Sequence, residues 1–301
     1  MIFIRVGVPR GLLYFKYHPF ILTFLNELDT QIVLSEETNK EILNLGVKYC
    51  VDEACLPIKI FHGHVASIKE KCDLMIVPRI MKEEGGEYIC PKFCGLPEMI
   101  VNSIPDMPQI TYDPIYINSK KKLDTWIIKL GKAITDNKQK IDRAYQKAVR
   151  TQQSFEFGMK DERYGFNVAL VGHPYCVHDS FLNMNIVRKL NRMGAGVITE
   201  GKVSKEHFEA ELKNLYKKPF WDFARNSYGF CMNVFRSRKV NGIIYISSFG
   251  CGIDSVSVEL IKNQIGDFPF LVLKLDEHTG EAGIDTRLEA FIDMFEGGCS
   301  C

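Results

Sequence analysis

Five of the ten cysteines stand in turn-like settings beside Gly or Pro: Cys50 and Cys55 in YCVDEACLP, Cys90 and Cys94 in ICPKFCGLP, and Cys251 in SFGCGID. Iron–sulfur clusters take thiolate ligands from loops whose backbone N–H groups can point at the sulfides, and Cys-Pro and Cys-Gly contexts supply such loops. The CxxxxC and CxxxC spacings differ from the dense ferredoxin run, and the paired CxxC knuckles usual for a four-cysteine zinc site do not occur. The local pattern leaves iron–sulfur ligation, zinc and uncoordinated thiols open. Cys72 in KEKCDLMIV and Cys231 in GFCMNVF fall inside apolar patterns and are expected to pack in cores. The closing GGCSC reads as a frayed tail, with a thiol pair or an extra ligand arm as alternatives.

Three further stretches concentrate polar groups. In DEHTGEAGIDTR, residues 276–287, Asp276, Glu277, His278 and Glu281 could orient a substrate or move protons, and Glu277, His278 and Glu281 are the candidate catalytic residues. A Gly-rich loop capped by Asp285 ahead of a helix would look similar. VPRGLLYFKYHPF offers Arg10, Lys16, Tyr17 and His18 for phosphate or an acidic ligand, or else His18-Pro19 simply begins a helix. GHPYCVHDS repeats the situation with His173, Pro174, Tyr175 and Cys176. The chain has no Walker motif and no GxGxxG after a strand, so neither ATP hydrolysis nor dinucleotide binding is expected.

These residues need elements to hold them. Short apolar runs alternate with helical patterns: FIRVGV, PFILTFLNEL, QIVLS, NKEILNLGV, DLMIVP, GLPEMIVNSI and PQITYD, then again FNVALVG, GVITE, GIIYISS and PFLVLKLD. That alternation predicts an α/β fold of two doubly wound, Rossmann-like parallel-sheet domains. A long helix is expected over about 123–151, where Leu123, Ile127, Leu130, Ile134, Ile141 and Ala148 keep helical spacing. The expected division is 1–118 for an N-terminal domain, 119–160 for a linking helix and 161–301 for a C-terminal domain. Carboxyl ends of parallel strands are where ligands gather, and Cys90, Cys251, VGVPRG, LVGHPYC and KLDEHTGEAG all fall at such ends. Two domains facing each other would bring them into one cleft.

Composition narrows the partners. The 301 residues are 46% apolar, and 38 Lys and Arg stand against 37 Asp and Glu. No global field draws the chain to nucleic acid or an anionic membrane, and the SKKK run reads as a solvated face. Arg5, Arg10 and Lys16 interrupt the apolar start, and no window reaches the length of a membrane span, so a cytoplasmic protein is expected. In a reducing compartment clustered thiols point to metal or redox chemistry before disulfides.

The long motifs VGVPRGLLYFKYHPF, TNKEILNLGVKYCVDEACLPIKIFHGHV, GEYICPKFCGLPEM, VGHPYCVHD, SSFGCGIDSVSVELI and DEHTGEAGIDTRLEAFIDM together resemble the acyl-CoA dehydratase activase-related proteins. That family is related to the iron–sulfur subunits of 2-hydroxyacyl-CoA dehydratases and benzoyl-CoA reductases. The resemblance runs over nearly the whole chain. It implies a 4Fe-4S cluster ligated by three cysteines drawn from both domains: Cys55 of DEACLP, Cys90 of YICPKF and Cys251 of FGCGID. It also implies a separate ATP-dependent activase that donates a low-potential electron, an iron site open to an acyl-CoA thioester or other small-molecule ligand, and assembly as a homo- or heterodimer. Cys94 and Cys176 depart from the family pattern and open a fully ligated or a larger iron–sulfur cluster, with Cys94 as an added metal ligand and Cys50 as another source of the fourth thiolate.

Three functions follow as expectations. The chain is a redox enzyme component that reduces or dehydrates a CoA thioester or small substrate, a non-catalytic electron carrier with a fully ligated cluster, or a zinc-bearing or metal-free scaffold for an activase-like protein.

Overall fold

Runs of β-branched and aliphatic residues bounded by Gly, Pro and Asp become short parallel strands, and amphipathic stretches between them become helices that cover the sheets. The computed structural model describes residues 4–296 apart from 84, 162, 204 and 214. The chain forms two compact units, Met1–Glu156 and Phe157–Cys301.

The first unit runs β1 (Arg5–Val8), α1 (Tyr14–Glu27), β2 (Gln31–Leu34), α2 (Lys40–Tyr49), α3 (Leu56–Ile68), β3 (Leu74–Met75), β4 (Arg79–Lys82), α4 (Pro91–Cys94), α5 (Leu96–Ser103), β5 (Gln109–Ile110), β6 (Pro114–Tyr116), α6 (Lys120–Lys132) and α7 (Lys138–Ser154). Its four-stranded sheet has the order β2-β1-β3-β5, all parallel, and β4 and β6 pair as a separate parallel ribbon. The chain passes from β1 to β2 on one side and then crosses to β3 and β5 on the other, so the strand order reverses between β1 and β3.

Helix α2 begins at Asn39, whose side chain accepts a hydrogen bond from the Ile42 amide at 3.0 Å. It returns through Cys50–Cys55 into α3, whose Pro57 suits the first turn of a helix. The two helices touch backbone to backbone. A Cβ on Gly46 would stand 2.0 Å from the Lys59 carbonyl oxygen, and one on Gly63 would stand 1.9 Å from that of Ile42. Only glycine permits this approach.

The expected helix over 123–151 is two helices. The break falls at 133–137, where Asn137 caps α7 by accepting from the Lys140 amide at 3.0 Å. A capping side chain that satisfies the new helix start competes with continuing the old one. Both helices belong to the first unit, and α7 packs on α1.

The second unit runs β7 (Phe166–Gly172), α8 (Pro174–His178), α9 (Ile186–Arg192), β8 (Ala195–Thr199), α10 (Lys205–Leu212), α11 (Asp222–Arg236), β9 (Gly242–Ser248), α12 (Gly252–Ile265), β10 (Phe270–Leu275) and α13 (Glu281–Glu296). Its sheet has the order β10-β9-β7-β8, all parallel. Every residue of β9 is buried, as a strand covered on both faces requires. Cys231 and Tyr245 sit in its core with Ile243, Phe230 and Ile261. The strand order reverses between β7 and β9, the place where an open parallel sheet leaves a crevice at its carboxyl ends.

Candidate functional site

The eight described cysteines make no disulfide and sort by depth. Cys50, Cys72, Cys176 and Cys231 are buried, Cys94 is exposed, and Cys55, Cys90 and Cys251 are partly buried. Burial pushes the Cys72 thiol up to about 11 and that of Cys231 well above its ordinary value, so both pack as neutral apolar groups, as their sequence settings predict. Burial also pushes Cys50 up to about 11, although Lys59 and Lys92 pull it back. Cys299 and Cys301 of the terminal GGCSC lie outside the described residues.

The three partly buried thiols share one local design. Cys55 precedes α3, Cys90 precedes α4 and Cys251 precedes α12, each as the residue that leads the chain into the helix in extended or near-extended backbone. None of the three uses its side chain to cap that helix. Leu-Pro after Cys55, Pro after Cys90 and Gly after Cys251 place the thiols there, because Pro in the first turn has no N–H to satisfy and fixes φ for the helix. In the first unit, Cys55 and Lys92 both lie near enough to act on the Cys50 thiol, which draws the CVDEAC turn and the CPKFC helix into one neighbourhood. Cys94 ends α4, one turn beyond Cys90.

Of the polar groups after β1, Lys16 and Tyr17 turn inward to a buried carboxylate of the first unit, and Arg10 meets an exposed one. Lys16 Nζ and Tyr17 Oη donate to Glu83 Oε1 at 2.6 and 2.5 Å, and Glu83 is 1% exposed. Arg10 faces Glu37 at 3.4 Å. His18-Pro19 lies inside α1 and does not begin it. Beside this network a cavity of about 230 Å³ is lined by Val8, Tyr14, Tyr17, Phe61, Ile80 and Trp126 among other apolar groups.

In the second unit the carboxyl ends of β7 and β9 carry a group that the residue pattern does not announce. Gly172 closes β7 at φ 148°, and a Cβ there would stand 2.4 Å from the Ile246 carbonyl oxygen on β9. The next residue, His173, is 4% exposed and leads into α8. Across the strand boundary, β9 runs out at Ser248 and the chain turns through Cys251 into α12, which places Asp254 in that helix's first turn. One donor atom each from His173, Cys251 and Asp254 lie within 4.8 Å of one another.

His173 Nε2 is 3.1 Å from Asp254 Oδ1, yet the approach gives Nε2 no aligned hydrogen bond among the described residues. The other ring nitrogen, Nδ1, is 2.5 Å from Tyr175 Oη. Phe223 lies over the imidazole with ring centroids 4.4 Å apart. Asp254 accepts from Tyr245 Oη at 2.8 Å and from Ser247 Oγ at 2.9 Å. Burial alone would raise its carboxyl, but the facing imidazole and these hydrogen bonds outweigh it and hold Asp254 below the usual carboxylate range.

His173 stands among the residues the sequence singles out, but as an anion site, and Asp254 is missing from them. The common signal was positional: His-Pro directly after a strand has the form of Cys-Pro in ICPKF, and in both the residue before Pro leads into a helix.

The 276–287 segment divides its labour. Asp276 accepts from Thr279 Oγ1 at 2.7 Å and from the His278 amide at 3.0 Å, an Asx-type turn that closes the loop. Glu281 opens α13 and pairs with Lys189 Nζ at 2.7 Å, and Asp285 pairs with the same ammonium. His278 is 86% exposed at the side chain, 3.9 Å from Glu277. Asp285 therefore stands in the second turn of α13, holding α9, where a loop cap was the alternative.

No helix among the described residues is long and apolar enough to cross a membrane. Residues 5–203 match the family described as CoA enzyme activase uncharacterised domain (DUF2229). The matched stretch is more than half of the chain, takes in the first unit from β1 onward and extends through β8 of the second. It includes Cys55, Cys90 and His173, with Cys251 and Asp254 beyond it. None of the curated proteins matches the chain.

Proposed function

The chain belongs to the CoA enzyme activase domain family, and from that membership we propose that it is an iron–sulfur redox component of a CoA-enzyme system, receiving low-potential electrons from a separate ATP-dependent activase. Cys55, Cys90 and Cys251 would supply the thiolates, as the resemblance of their motifs to the dehydratase-related proteins implies. The observation that carries this reading is the sorting of the thiols. The three assigned cysteines are partly buried and each leads into a helix, where backbone N–H groups and the helix dipole favour negative charge. The four buried cysteines are not of this kind, and for Cys50 and Cys72 burial disfavours the thiolate that ligation requires.

A bound cluster supplies one-electron chemistry at low potential and, with an iron lacking a protein ligand, a place for a thioester carbonyl or a small molecule. Lys92 would bring positive charge near the thiolates of the first unit. Glu277, His278 and Glu281 remain the proposed proton-moving groups, with Lys189 holding Glu281 at the start of α13. The carrier alternative rests on Cys94, which is exposed one turn past Cys90 and could complete a fully ligated cluster.

Anaerobic purification followed by iron and acid-labile sulfide analysis tests the reading. About four of each per chain is the expected result for a 4Fe-4S cluster, and iron-free protein without sulfide after anaerobic reconstitution would overturn it. Electron paramagnetic resonance of the reduced protein with acyl-CoA thioesters then divides enzyme from carrier. A spectrum that shifts with a thioester supports the open iron, and one indifferent to every thioester supports the carrier.

A further inference from the structure

His173, Cys251 and Asp254 all belong to the second unit, and one donor atom of each lies within 4.8 Å of the others. We propose that His173 Nε2, Cys251 Sγ and Asp254 Oδ1 form a binding site for a single divalent transition-metal ion of the zinc type. The inference goes beyond the iron–sulfur reading, because it uses Cys251 but neither Cys55 nor Cys90, and it concerns the chain when no cluster occupies Cys251.

The donor set has the right chemistry. Imidazole nitrogen, thiolate and carboxylate are the common ligands of zinc, and three protein ligands leave a fourth position for water or a substrate atom. Metal–nitrogen and metal–oxygen bonds of about 2.0–2.1 Å at a tetrahedral angle separate the two donors by about 3.3 Å. His173 Nε2 and Asp254 Oδ1 are 3.1 Å apart, so they already hold the spacing of two ligands on one ion. The thiol, within 4.8 Å of both, completes the third corner with a shift of the side chain, which sits at a partly exposed turn.

A buried orphan nitrogen is the independent pointer. His173 is 4% exposed, and its Nε2 makes no aligned hydrogen bond despite lying against a carboxylate. An imidazole that held its Nε2 proton for Asp254 would be expected to point it along that short line. With an ion between Nε2 and Asp254, the ring proton would sit on Nδ1, 2.5 Å from Tyr175 Oη, and leave the Nε2 lone pair for the metal. That is the tautomer a metal ligand needs, fixed by an outer partner in the usual way. The carboxylate is likewise fixed from behind, by Tyr245 and Ser247. Gly172, which admits the β9 backbone within van der Waals range, sets where His173 leaves the sheet.

Cobalt(II) titration of the chelator-treated full chain under argon reads the site through the thiolate-to-cobalt charge-transfer band and the ligand-field bands of a four-coordinate ion. One equivalent is expected to bind with that band, and zinc(II) should displace it. Cys251→Ser should abolish the band, and His173→Ala and Asp254→Asn should each weaken cobalt binding at least about tenfold. Cys55→Ser and Cys90→Ser should bind as the unaltered chain does, which keeps the test informative where a buried variant fails to fold. A band that survives Cys251→Ser, or its absence from the unaltered chain, would overturn the site. Loss of the band in Cys55→Ser or Cys90→Ser would also overturn it, while supporting the three-cysteine reading. Absence of iron and sulfide with retained cobalt binding would remove that reading and leave this one standing.

Discussion

The carboxamide of Gln152 fills the break that Pro19 makes in α1. Proline inside a helix removes one hydrogen bond and crowds the preceding turn, and Gln152 meets the backbone of α1 on either side of Pro19. Gln152 Oε1 accepts from the Phe20 amide at 3.2 Å, and its Nε2 donates to the Lys16 carbonyl at 3.0 Å. One side chain of α7 thus bonds both a backbone donor and a backbone acceptor of α1 beside the proline. Gln152→Ala should lower stability by roughly 1–3 kcal/mol in urea unfolding, since two backbone groups lose their partners together. Indistinguishable midpoints for the variant and the unaltered chain would show that water replaces the amide at no cost.

The buried Lys16–Glu83 pair gives a second expectation. Glu83, 1% exposed, would lose its facing ammonium if Lys16 were removed, so Lys16→Met should destabilise by about 3–5 kcal/mol. Glu83→Gln added to it should recover part of that loss, because a neutral amide needs no counter-charge. A double-mutant cycle with no coupling between the two positions would contradict the assignment.

Acid should weaken the fold earlier than carboxylate titration alone would. Burial, helped by the charge of Arg10, holds His64 at about 3, and burial holds His178 at about 4. Unfolded histidine takes up its proton near pH 6.5, so the unfolded chain binds protons first as pH falls. This stability is complete above about pH 6.5 and is lost progressively on the way down to the folded values, by up to about 1.4 kcal/mol per pH unit for each histidine. Unfolding free energies measured between about pH 7 and 5 should therefore slope downward, and His178→Gln should flatten the slope. A flat profile over that window would show that these rings are already charged in the fold.

Thiol chemistry should divide the cysteines as depth does. Cys90→Ala and Cys251→Ala should lose the brown colour of an anaerobically reconstituted sample, and Cys72→Ala, which removes a thiol packed beside Gly7, should keep it. Visible absorption checks this directly. Retention of colour in all three would remove the ligand set.

The strands were legible where they were long or fully covered. FNVALVG and GIIYISS became β7 and β9 residue for residue, because a strand buried on both faces writes itself as an unbroken apolar run. DLMIVP and PQITYD shrank to two paired residues each, and the β4–β6 ribbon went unforeseen, since RIMK mixes charge with apolar groups and carries no clear period. The helix over 123–151 misled because its apolar spacing continues in register across the break that Asn137 makes with a local cap. For the His173 group the obstacle is different in kind. Asp254 stands 81 positions beyond His173, and only the adjacency of β7 and β9 brings them to 3.1 Å. Single-sequence periodicity contains no record of which strands are neighbours.

Gly46 and Gly63 lock two helices at main-chain contact, and the turn bearing Cys50 and Cys55 hangs from that joint. The gap there has no side chain whose rotamers could absorb a change, so the hairpin behaves as a rigid bracket. Adjustment of the Cys55 thiol must come from the short turn itself, and any engineered retuning of this position would begin with residues 51–54.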